Sequence, residues 1–138
     1  MKIAVPYLLL VDDDPADAQM LIDRIRLVKP TIDVLQFSDG YDALAHLEAC
    51  KSDHLPIALI TDYSMPSLNG AQFLRLLQPQ KRYGNIVKFV WSTSRMPMEE
   101  CQRAGAIDFF VKPSQASDLS AIVHTLMTHL ALPTVHKT

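Results

Sequence analysis

Few compositional features of this chain are extreme, but what it has little of narrows the field. Two cysteines, Cys50 and Cys101, occur in 138 residues. They are too few and too far apart for a disulfide framework or a zinc site, so a reducing, cytoplasmic setting is expected. Four glycines, Gly40, Gly70, Gly84 and Gly105, lie scattered. Neither G-x-G-x-x-G nor G-x-x-x-x-G-K can be written from them, which argues against a nucleotide cradle. Aromatic residues make up 7% and the formal net charge is -2. Tyr41, Tyr63 and Trp91 therefore build no stacking platform on a basic surface, and direct nucleic-acid binding is not expected. No run approaches the roughly 18 apolar residues of a membrane span. The start, Met1 to Pro6, carries one positive charge, and the apolar run that follows stops at an acidic triplet. That reads as a strand and not as a secretory leader.

What is present describes one globular unit. Hydrophobic residues at 49% and charged residues at 20% are ordinary for a folded domain. The expected domain is 1–138, with a core of about 7–130. Short β-rich runs alternate with helical periodicity. Strands are expected at Tyr7–Val11, Ile32–Phe37, Pro56–Thr61, Ile86–Trp91 and Asp108–Val111. The first helix takes Asp14 as N-cap and Pro15 at its first position, and ends near Pro30. Further helices are expected at about Tyr41–Cys50, Gly70–Leu77 and Pro97–Arg103, the last followed by Gly105. A fifth carries the stripe Leu119, Ile122, Val123, Leu126, Met127 and Leu130. Residues Pro133 to Thr138 are expected to fray. Five strands interleaved with five helices give a doubly wound α/β sheet.

In such sheets the ligand crevice lies beyond the carboxyl ends of the strands. The first apolar run ends in Asp12, Asp13 and Asp14, and the third ends in Thr61 and Asp62. The fourth ends in Ser92, Thr93 and Ser94, and the fifth in Lys112 and Pro113. Like charges at 4 Å repel by about 4 kcal/mol at an effective dielectric near 20, so clustered carboxylates need compensation. A hard divalent cation such as Mg²⁺, with oxygen ligands, supplies it. Lys112 adds a compact positive charge that can reach an anion. A carboxylate beside them can act as a nucleophile toward phosphorus. His46, His54, His124, His129 and His136 share no metal-ligand spacing and read as surface or helix-face residues.

Four segments together resemble the receiver domain of bacterial two-component response regulators, in the single-domain, chemotaxis-regulator style. They are Leu8–Pro15, Leu59–Gly70, Val90–Ser94 and Ala104–Pro113, and the likeness runs from about Tyr7 to Leu130. Each motif is modest alone, but the ordered set is specific. The resemblance implies a flavodoxin-like strand order 2-1-3-4-5. It makes Asp62 the phosphoacceptor and Asp12 and Asp13 the acidic pair for Mg²⁺, with the Ser64 backbone carbonyl as a further ligand. It assigns Ser92 and Lys112 to the phosphoryl group, and makes Ser92 and Phe109 a switch pair. It also implies a cis bond before Pro113. Ser92 stands where threonine is commoner, and Thr93 narrows the entry slightly. Ser64 and Ser94 occupy positions resembling those that set the dephosphorylation rate, and neither suits a water-positioning role. Ser114 is expected to cap the fifth helix.

A protein of this kind takes its phosphoryl group from a sensor histidine kinase and is not a turnover enzyme. The Asp14–Pro15 start resembles that of partners of phytochrome-like kinases. With no module expected after Thr138, output passes through protein contact. It is a homodimer through the fourth helix, fifth strand and fifth helix, an effector, or a phosphotransfer protein. Met96, Met98 and Cys101 offer a soft contact patch there. The competing reading is a receiver-like binding module that is never phosphorylated. A small-phosphoester hydrolase is disfavoured because no D-x-D pair surrounds Asp62.

Overall fold

Leu8, Leu9, Leu10 and Val11 are all buried, yet they do not pack together. Leu8 and Leu10 point to one side of the sheet, and Leu9 and Val11 to the other. Alternating side chains on a strand buried on both faces require a layer of helices on each. The computed structural model of the chain, described for residues 5–130, has that three-layer arrangement. Met1 to Ala4, and the tail Pro133–Thr138 expected to fray, lie outside the described residues.

The elements run β1 (Tyr7–Val11), α1 (Pro15–Val28), β2 (Asp33–Phe37), α2 (Gly40–Ala49), β3 (Ala58–Asp62) and α3 (Gly70–Leu77). They continue with β4 (Val87–Ser92), α4 (Met98–Arg103), β5 (Asp108–Val111) and α5 (Leu119–Leu130). All strand pairs are parallel, in the order β2-β1-β3-β4-β5. The doubly wound sheet expected from the alternation is thus the one observed. Helices α1 and α5 cover one face over Leu21, Ile25, Val123 and Leu126. The others cover the opposite face over Ala43, Leu47, Phe73, Leu74 and Cys101. Each buried leucine contributes roughly 1.5–3 kcal/mol relative to exposure, so the two layers hold the strand ends in a fixed frame.

Local chemistry sets the helix starts. Asp14 caps α1, accepting from Ala16 N at 2.9 Å and Asp17 N at 3.2 Å, with Pro15 at the first position as expected. Asn69 and Gln72 form a reciprocal capping box at α3, a signal the sequence carried and our reading passed over. Gly105, just past α4, has φ +115°, a left-handed conformation that favours glycine. Ser114 does not cap α5. That helix starts at Leu119, entered through a 3-10 turn at Ala116–Asp118. The bond before Pro113 is trans, since no peptide bond among the described residues is cis. Trans is the favoured X-Pro isomer by about 0.5–1 kcal/mol, and Lys112 reaches its partners from it. No helix among the described residues is long and apolar enough to cross a membrane.

Candidate functional site

Four strand ends meet at one edge of the sheet. Asp12 follows β1, Asp62 closes β3, Ser92 closes β4 and Lys112 follows β5. Strands β3 and β4 each end one residue later than expected, so Asp62 and Ser92 are strand residues. Asp62 pairs opposite Trp91. Beyond the strands, Asp12 N donates to Phe37 O at 2.9 Å, and Lys112 N donates to Ser92 O at 2.7 Å. The ladder therefore continues past the last strand residues and orients both side chains.

Lys112 is the centre of the cluster. Its Nζ lies 2.9 Å from Asp12 Oδ2, 2.9 Å from Asp17 Oδ2 and 3.4 Å from Asp62 Oδ1. Asp17, in the first turn of α1, joins because the Asp14 cap turns α1 toward the strand ends. Asp12 Oδ1 accepts from Asp14 N at 2.9 Å. Asp12 Oδ2 is buried and has only the ion-pair contact with Lys112, without a directed hydrogen-bond donor. Asp13 is exposed, and one carboxylate oxygen from each of Asp12, Asp13 and Asp62 falls within 4.8 Å of the others.

The electrostatics follow. Burial, reinforced by the neighbouring Asp12 charge and opposed by Lys112, pushes the Asp62 carboxyl up to about 7. Burial also raises Asp12, against the pull of Lys112 and of the Asp14 amide. Burial pulls Lys112 down, but Asp12 and Asp17 together outweigh it and hold the ammonium above the ordinary lysine range. One lysine does not neutralise four carboxylates. An all-oxygen donor set with more carboxylates than the one lysine can neutralise fits a hard divalent cation.

Beside this cluster a crevice of about 320 Å³ is lined by Tyr63, Ser64, Ser92, Thr93, Ser94, Met96, Pro97 and Glu100. Ser92 is buried, and its Oγ accepts from Ser94 N at 3.2 Å. Ser64 is exposed, and its carbonyl accepts no hydrogen bond among the described residues. Phe109 is 8% exposed, packed in the core opposite Val90. Tyr63 Oη donates to Glu100 Oε1 at 3.1 Å, spanning the crevice between the β3–α3 loop and α4.

The soft patch expected on α4 is smaller than the sequence suggested. Met96 is 90% exposed and Met98 half-buried, but Cys101 is fully buried, its thiol pushed up to about 11 by that burial. Cys101 packs in the core because it falls on the inward side of a six-residue helix. Sequence reasoning also missed a group at the other end of the sheet, where Tyr7, His46, Cys50 and His54 line one cavity. The four-residue spacing of His46 and Cys50 on one helix was the available signal.

Comparison with known proteins gives the same picture. The response regulator receiver domain family matches residues 8–124. The cyclic di-GMP phosphodiesterase response regulator RpfG of Xanthomonas campestris pv. campestris (strain 8004) is 32% identical over 122 residues. That match covers 87% of this chain and 31% of RpfG, so the chain spans about a third of that relative's length. Among solved structures, the phosphorylated cyanobacterial phytochrome response regulator RcpA superposes with a TM-score of 0.82 at 19% identity, covering 96% of this chain and 100% of RcpA. The Mn²⁺-bound form of response regulator Rcp1 superposes with a TM-score of 0.78 at 19% identity, covering 96% of this chain and 99% of Rcp1.

Proposed function

The chain belongs to the response regulator receiver domain family, and on that premise we propose that it accepts a phosphoryl group on Asp62 from a sensor histidine kinase. Receiver domains are signalling modules of two-component systems and bind a divalent metal. The observation that carries the reading is the contact of Lys112 with both Asp12 and Asp62 at the strand ends. That arrangement sets a cation beside the Asp62 carboxylate, at 3.4 Å from its Oδ1.

In the proposed step an Asp62 carboxylate oxygen attacks phosphorus in line. The new O–P bond forms as the P–N bond to the donor histidine breaks, and the electron pair leaves on the imidazole nitrogen. A Mg²⁺ ion held by Asp12, Asp13, Asp62 and the Ser64 carbonyl would supply charge neutralisation at the phosphoryl oxygens. Lys112 exchanges part of its contact with Asp12 for the incoming anion. The Ser92 hydroxyl, now an acceptor for Ser94 N, turns to donate to a phosphoryl oxygen. Phe109, already buried, holds the inward position that this turn requires. Hydrolysis by water returns the carboxylate, with Ser64 and Ser94 leaving that water poorly positioned and the phosphoryl group long-lived.

The added charge of about -1.5 to -2 alters the surface of α4, β5 and α5, where Met96 stands exposed above a cavity of about 350 Å³ lined by Ser94, Arg95, Met96, Met98 and Glu99. That surface engages a second copy, an effector or a phosphotransfer protein, and the working compartment is the cytoplasm. A phytochrome-like kinase belongs among the donors to test, since RcpA shares the fold along nearly the whole chain. The test is incubation with acetyl phosphate and Mg²⁺, followed by intact mass. One phosphoryl group added to the parent and none to Asp62→Ala supports the proposal; no Mg²⁺-dependent adduct on the parent overturns it.

A further inference from the structure

A second polar cluster lies at the opposite end of the sheet from the acidic site. A cavity of about 460 Å³ there is lined by Tyr7, Asp33, His46, Cys50 and His54, with Val5, Val34 and Leu35 around them. Cys50 follows α2 as its C-cap, and His46 sits four residues earlier on the same helix. Their Sγ and Nε2 atoms are 3.4 Å apart. Tyr7 Oη lies 3.0 Å from His46 Nε2 and 3.8 Å from Cys50 Sγ.

We propose that this cluster is a binding site for a thiophilic divalent cation of the Zn²⁺ class, held by His46 Nε2 and Cys50 Sγ. Zn–N distances of about 2.0–2.1 Å and Zn–S of about 2.3 Å, at a tetrahedral angle, separate the two donors by about 3.5 Å. The observed separation matches without movement of the helix. The end of a helix carries partial negative charge, which favours a cation there. Water completes the coordination, while the Tyr7 hydroxyl, which donates to His54 O at 2.8 Å, stands beside the two donors.

Binding is a proton exchange: the Cys50 S–H bond breaks, an S–Zn bond forms and one proton leaves to solvent. His46 binds as the tautomer with its proton on Nδ1. The bound ion would tie the last turn of α2 to its C-cap residue, on donor chemistry unlike that of the all-oxygen cluster.

The two sites are separated by their ligands. With Mg²⁺ in excess, the protein is titrated with Co²⁺ and Zn²⁺. The expected result is a thiolate-to-Co²⁺ charge-transfer band in the parent that is absent in Cys50→Ser. Zn²⁺ affinity should fall at least about tenfold in Cys50→Ser and in His46→Gln, while Asp62→Asn leaves it unchanged. In the unsubstituted chain, Zn²⁺ but not Mg²⁺ should slow alkylation of Cys50, read by peptide mass, so the proposal does not depend on a variant folding. Absence of the thiolate band together with unprotected Cys50 overturns it.

Discussion

Lys112 Nζ and Asp12 Oδ2 face each other at 2.9 Å with both side chains withdrawn from solvent, at 8% and 0% exposure. A buried pair of this kind contributes little net stability while intact, because desolvation offsets the attraction. Removing one partner is different, since it strands the other charge. Lys112→Met should therefore destabilise the metal-free protein by about 3–5 kcal/mol. Added Mg²⁺ should recover part of the loss, because a second cation can then serve the same carboxylates. Urea unfolding with and without Mg²⁺ measures both effects.

Asp62 gives a pH dependence of definite sign. Its carboxyl is raised from an ordinary value near 3.8 to about 7, so in this range the native state binds more protons than the unfolded chain. Stability of the metal-free protein should then fall as pH rises from about 4 to 7 through this group. Asp62→Asn should remove that slope and stabilise the metal-free protein at pH 8 by on the order of 1–3 kcal/mol. Thermal unfolding in chelator across pH checks it; an unchanged slope in Asp62→Asn would contradict the assigned burial and charge environment.

Gly70 links helix packing to the site. A Cβ there would meet the Asp62 carbonyl oxygen at 2.7 Å and Tyr63 Cα at 3.1 Å. Both contacts are with backbone, so the strain cannot be relieved by a side-chain rotation. Gly70→Ala should cost about 1–3 kcal/mol and weaken Mg²⁺ binding by shifting Asp62. Paired unfolding and Mg²⁺ titrations test this; a stability loss with unaltered Mg²⁺ affinity would show that the strain is absorbed away from Asp62.

Trp91, the single tryptophan, reports on the cluster. Lys112 Nζ sits 4.9 Å from the centre of its ring. Mg²⁺ binding or phosphorylation that draws Lys112 away should change the indole emission saturably. Asp13→Asn should move the midpoint to higher Mg²⁺ concentration, because Asp13 supplies one of the three clustered oxygens.

The fold was legible because β1, β3 and β4 are short, apolar and bounded by polar residues, and because α5 carries a clear stripe. The polar strand ends followed from the same pattern, which is why Asp12, Asp13, Asp62, Ser92 and Lys112 could be grouped before any geometry. What sequence hid depends on side chains meeting across distance. Asp17 reaches Lys112 only because the Asp14 cap sets the direction of α1. Tyr7 and Cys50 meet because α2 runs back along the sheet and brings its end beside the start of β1, across 43 residues of sequence. The burial of Cys101 depends on which face a short helix presents, and six residues are too few for periodicity to decide. The trans bond at Pro113 and the 3-10 entry to α5 are local choices between conformers of nearly equal energy.

Phosphoryl transfer should stop at one residue, Asp62. After treatment with acetyl phosphate and Mg²⁺, borohydride reduces an acyl phosphate to an alcohol that survives digestion, so peptide mass locates it. A single reduced position, at residue 62 and dependent on Mg²⁺, is expected. Reduction at Asp12 or Asp13 instead, or at no position while Mg²⁺ is bound, would contradict it.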